Sequence, residues 1–183
     1  MPVRRSVLLG LLTLGACATQ SPQAELGAAL PLPGDISCVP FARALSGISL
    51  AGDAHLWWAA AEGRYPRSAR PAPGSVLVIA RSRAVPRGHL AVVVALVGPR
   101  EILVTHANWA SGTARGRVAE NQRVVDVSQG NDWSSVRVWY PPTQSLGVTV
   151  HRASGFIHPG RAVDPARLAA RVPQAAEASA GTL

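Results

Sequence analysis

From Ser75 onward the chain is a succession of short apolar runs rich in Val and Ile, namely SVLVIA, HLAVVVALV, EILVTHANW, RVVDVS and SSVRVWY, separated by turns bearing Gly, Pro and Arg. Runs of this length and β-branched content read as strands. The connections between them are too short to hold crossover helices, so neighbouring strands must pair antiparallel. Upstream the period changes. CVPFARALS places Val39, Phe41, Ala42 and Leu45 at helical spacing, with Ser37 or Asp35 as cap, Pro40 in the first turn and Gly47 as the stop. DAHLWWAAAEG reads as a second helix, with Asp53 as N-cap, Leu56, Trp57 and Ala60 facing inward, and Gly63 at its end. Helices followed by a run of strands give an α+β fold, with N-terminal helices packed on an antiparallel β-sheet.

The 183 residues suit one domain with short tails. Its N-terminus has a distinct order: basic MPVRR, the apolar run SVLLGLLTLGA, then Cys17. That is the layout of a secretory signal, and the apolar run falls well short of the roughly 20 residues that span a bilayer. Leu14-Gly15-Ala16-Cys17 resembles a bacterial lipobox, in which cleavage leaves the cysteine as a lipid-modified N-terminus. Residues 1–16 are then a lipoprotein signal peptide. Cys17 becomes a lipid anchor, and Ala18 in place of Asp points to the periplasmic side of the outer membrane. Residues 17–35 form a Pro- and Ala-bearing spacer, 36–160 the domain, and 161–183 an Ala-rich C-terminal tail expected to fray.

The formal net charge is +8, and every basic residue is Arg. The sign suits anionic partners. The Arg residues are scattered and no nucleic-acid motif accompanies them, so nucleic acid is not an expected partner.

The chain has two cysteines. With Cys17 acylated, Cys38 has no intramolecular partner, and a lone thiol in an oxidising compartment is either inert and buried or kept for chemistry. Cys38 stands where the first helix begins, and the positive end of the helix dipole there favours thiolate and lowers the thiol's pKa. His89 follows Arg87-Gly88 and opens a strand, where it becomes useful as a base if the fold brings it to Cys38. Asn108 lies at the end of the next strand, opposite His89 in a hairpin, which suits it to orient the imidazole; a strand-end Asn also serves to cap a turn. His106 shares its face, and Trp109 is placed to shield the orienting hydrogen bond from water. None of the His pairs has a zinc-motif spacing, so neither a metal nor another cofactor is expected.

In this order, Cys38 at a helix start, PGSVLVI, GHLAVVV carrying His89 and ILVTHANW resemble the CHAP family of cysteine- and histidine-dependent amidohydrolases and peptidases. DVSQGNDWSSVRVWY and GFIHPG resemble its C-terminal strands. The resemblance spans about 36–160 and implies a papain-like fold of the NlpC-type superfamily, with peptidoglycan amide bonds in stem peptides as substrate. It implies a Cys38–His89–Asn108 site acting through a thioester, with His106 and Trp109 as auxiliaries and a protein activator among the expected partners. One departure stands out: many relatives carry Glu two residues before the Asn, where this chain has His106, which cannot supply a carboxylate's charge. Two other readings fit the same residues, a catalytically silent envelope module that binds peptidoglycan or a protein, and a related enzyme acting on another amide, such as a transacylase or polyamine amidase.

Overall fold

The computed structural model describes residues 36–109 and 115–180. The signal, the lipobox with Cys17 and the whole of the spacer lie outside the described residues. Among the described residues no helix is long and apolar enough to cross a membrane.

Helix α1 (Cys38–Ser46) buries Phe41, Ala42 and Leu45 and ends at Gly47, whose φ of 76° lets its N–H reach back to the Arg43 carbonyl. Ser37 occupies the N-cap position without a side-chain cap hydrogen bond. The second expected helix is shorter than its sequence suggests. A 3-10 turn (Ala54–Leu56) leads into a single turn of α-helix, α2 (Trp57–Ala60). Trp57 is fully buried there, whereas Leu56 faces outward at 48% exposure, because the tighter 3-10 turn rotates it off the inward face.

The strands are β1 (Arg67–Ser68), β2 (Val76–Ile79), β3 (His89–Gly98), β4 (Glu101–Ala107), β5 (Val118–Asp126), β6 (Ser135–Tyr140), β7 (Ser145–Leu146) and β8 (His151–Ile157). All pairings are antiparallel, in the order β1-β8-β2-β3-β4-β5-β6-β7. β6 also pairs with β8 through Val136 and His151, so β2, β3, β4, β5, β6 and β8 close on themselves. The sheet is therefore a small barrel, not an open layer, which removes most exposed edges.

Closure explains the unbroken apolar runs. One face of β2 and β3, carrying Val76, Val78, Leu90 and Val92, packs under α1. The other, carrying Leu77, Ile79, Ala91 and Val93, fills the barrel with Ile102, Val104, Val136 and Phe156. Strands covered on both faces have no polar positions to alternate with.

The C-terminal segment does not fray as expected. It forms α3 (Pro165–Ala170), capped by Asp164 through the Ala166 N–H, and α4 (Val172–Ser179). Leu168, Val172, Ala175 and Ala176 are buried in the same core as α1, and the Arg171 guanidinium donates to the Ala44 carbonyl at 2.9 Å. The segment is thus part of the domain's helical layer.

Candidate active site

The site forms where the N-terminus of α1 meets the start of β3. Cys38 is the first residue of α1, and α1 lies across β3 and β4. The thiol is half-buried, with the backbone N–H groups of Leu90, Cys38 and Val39 as its hydrogen-bond partners. Burial pushes its pKa up from the ordinary value, and these N–H groups offset only part of that rise. The expectation of a thiol acidified by the helix terminus is therefore corrected, since desolvation of the anion outweighs the dipole here.

Gly88 sets the position of His89. Its φ is +73°, and a Cβ there would stand 2.7 Å from the Ile79 carbonyl oxygen and 2.8 Å from the His55 backbone nitrogen. Only glycine fits this close approach. His89 then points to the same face as Ala91 and Val93, into the end of the barrel.

The side chain that meets His89 is His106. Their Nε2 and Nδ1 atoms lie 3.1 Å apart, with both rings buried. Asn108 does something else: its Oδ1 accepts the Gly116 N–H at 2.9 Å, and its own N–H donates to the Arg117 carbonyl. With φ at 59° it has left the strand and closes the β4–β5 connection, the turn-capping alternative open to a strand-end Asn. Trp109 lies over the histidine pair, tilted against His89 at 4.7 Å and stacked with His106 at 5.6 Å between ring centroids. Its Nε1 donates to the Trp139 carbonyl, which fixes the indole in place. His151, which opens β8, meets the far side of Trp109 at 5.2 Å. The strand-like alternation of HRASGFI was a signal for it.

Burial holds His89 well below the ordinary histidine value, with the neighbouring His106 and His151 adding to the effect. It lowers His106 to about 3. Both rings are neutral at pH 7. The proton balance sets a testable slope. Below about pH 6.5 the unfolded chain protonates these rings while the folded one does not, so stability falls as pH falls. For His106 the loss runs from about 6.5 down to about 3, at roughly 1.4 kcal/mol per pH unit for each ring. Urea unfolding at pH 7 and pH 5 measures it; a chain whose stability is flat across that interval has no buried neutral pair, and His106→Asn should remove its share of the slope.

Cys38 and His89 open onto one cleft of ≈ 610 Å³, walled by Val85, Pro86, Asn108 and Trp109, with Arg87 and Arg115 supplying its charge. Among the described residues no acidic side chain lines it. Among the described residues, no group of three or more His, Cys, Asp or Glu side chains is placed to hold a metal ion.

The family model described as CHAP domain matches residues 31–108, which include Cys38, His89 and His106. This match supports the CHAP domain family for residues 31–108. CHAP domains are in general hydrolase or amidase domains with peptidoglycan as their usual substrate, and the helices and antiparallel barrel described above are compatible with that family. The match ends at Asn108, so β5, β6, β8 and the C-terminal helices lie beyond it. A search of curated proteins found no match to the chain.

Proposed function

We propose that this CHAP domain is a cell-envelope cysteine amidase or endopeptidase that hydrolyses peptidoglycan amide bonds, with Cys38 as nucleophile, His89 as base and His106, in place of Asn108, as the group that orients His89. The observation that carries this reading is the shared cleft of Cys38 and His89, with His89 Nε2 engaged by His106.

The tautomers follow from that bond. For His89 to accept a proton at Nδ1, its own proton must sit on Nε2 and be donated to His106 Nδ1. His106 then carries its proton on Nε2, an atom with no partner among the described residues. When the thiol proton passes to His89, the new imidazolium donates a charge-assisted hydrogen bond to His106. His106 thus helps by orientation and hydrogen bonding without contributing a charge.

With the thiol pKa raised and the imidazole pKa lowered, the resting pair is neutral thiol and neutral imidazole. Proton transfer accompanies attack on the amide carbon. The tetrahedral oxyanion is held by backbone N–H groups, that of Cys38 among them, and a thioester forms as the protonated His89 delivers its proton to the leaving amine. His89 then activates the water that hydrolyses the thioester. Arg87 and Arg115 suit the carboxylates of stem peptides. Trp109 keeps water from the histidine pair. The basic, apolar and small-residue order at the N-terminus supports export and lipid anchoring through Cys17 to the periplasmic face of the outer membrane, where this substrate lies.

The test is incubation of the purified protein and its Cys38→Ala variant with sacculi, with mass spectrometry of the soluble products. Release of fragments by the parent alone is expected, and equal release by both sinks the reading. The raised thiol pKa favours a second reading, a silent module that binds peptidoglycan through the same cleft; it requires binding of sacculi without release by either protein.

A further inference from the structure

A second pocket of ≈ 500 Å³ adjoins the catalytic cleft and shares Ala84, Val85 and Trp109 with it. The two differ in chemistry. The catalytic cleft carries Arg87 and Arg115, whereas among the described residues no ionisable side chain with a full charge lines the second pocket. Its walls include Val138, Leu146 and Val148, and His151 is among the residues that line it. His151 is 7% exposed, and its Nδ1 has no hydrogen-bond partner among the described residues.

We propose that this pocket is a specificity subsite taking an uncharged, largely apolar side group of the substrate next to the scissile amide. The inference rests on the reading of Cys38 as the reacting thiol. It divides substrate recognition in two. The Arg-bearing cleft receives the anionic part, and the pocket across Trp109 receives a neutral one. A cationic side chain is disfavoured in the pocket, because among the described residues no carboxylate lines it and its apolar walls would strip the cation of water.

Alkylation of Cys38 reads the subsite without any need for turnover. The purified chain is treated with iodoacetamide and with its N-benzyl, N-(3-phenylpropyl) and N-(2-aminoethyl) derivatives. The rate of modification of the Cys38 peptide is followed by mass spectrometry, and each rate is divided by that of free cysteine with the same reagent. At least one aromatic reagent is expected to gain about tenfold over iodoacetamide, the scale set by burying one ring, and the aminoethyl reagent to gain nothing. Val148 is 88% exposed, so Val148→Arg changes the rim without disturbing the core. Ser145→Trp fills the mouth from another exposed position. The aromatic gain should fall to near unity in at least one of these variants while the rate with plain iodoacetamide stays as in the parent. Equal normalised rates for all four reagents, or an aromatic gain that survives both variants, overturns the subsite. An aromatic gain that both variants reduce, found with a protein that releases nothing from sacculi, upholds the subsite and removes the hydrolase reading instead.

Discussion

Replacing His89 with Ala is expected to lower fragment release from sacculi by about 10⁴–10⁶-fold, and adding Cys38→Ala to that variant should cost little more. In the proposed mechanism the two side chains perform one operation, transfer of the thiol proton coupled to attack, so removing either removes the whole. The resting state makes the dependence on His89 unusually strict. Burial raises the Cys38 thiol above its ordinary value, so at pH 7 almost no thiolate forms unaided. The same burial keeps His89 neutral and ready to accept a proton well below pH 6.5. The acid limb of the rate profile should accordingly lie below the value of a free imidazole. Initial rates of the single and double variants over pH 4–9 check both statements. Losses that multiply in the double variant show that the residues act separately, and an acid limb at or above 6.5 shows an exposed imidazole.

The second large effect separates the two residues that compete for the third position. His106→Ala should lower turnover by about 10–100-fold, the equivalent of the roughly 1.5–3 kcal/mol that a hydrogen bond to a charged group contributes. His106→Gln should recover much of it if its amide oxygen reaches His89. Asn108→Ala should leave turnover within a few-fold of the parent but lower stability by about 1–2 kcal/mol, because alanine tolerates a left-handed backbone poorly. Turnover together with thermal denaturation distinguishes these outcomes. A greater loss of turnover in Asn108→Ala than in His106→Ala restores Asn108 as the orienting group.

Why the sequence pointed to Asn108 first is a matter of where a strand stops. Residues 106 and 108 share a face as long as the backbone stays extended. Asn108, at φ 59°, has already turned away, so the alternation that aligned it with His106 ends one residue too early. The left-handed tendency of Asn was visible, but it carries no weight until the hydrogen bonds it makes to Gly116 and Arg117 are known. The strands themselves were plainly legible, because burial on both faces leaves uninterrupted Val and Ile in β2 and β3. Closure of the barrel was not, since the pairing of Val136 with His151 joins residues that no local pattern links. The C-terminal helices were hidden for another reason. Leu168, Val172, Ala175 and Ala176 recur at helical spacing, yet alanine adds little apolar contrast, and it took the surface of α1 to give those small side chains something to cover.

Barrel closure also separates the unit of chemistry from the unit of folding. The segment matched by the family model, 31–108, holds the thiol, both histidines of the central pair and three of the six strands that close the ring. Cut there, β2 loses β8, β4 loses β5, and two unpaired strand edges, that of β2 wholly apolar, face water. The reacting groups are local in sequence, but the dry, rigid mouth that makes them useful is borrowed from β8 some forty residues farther on, which delivers His151 to the same ring of aromatic side chains. Inheritance of the site therefore requires inheritance of the whole ring, and a mutation in β8 can silence a thiol it never touches.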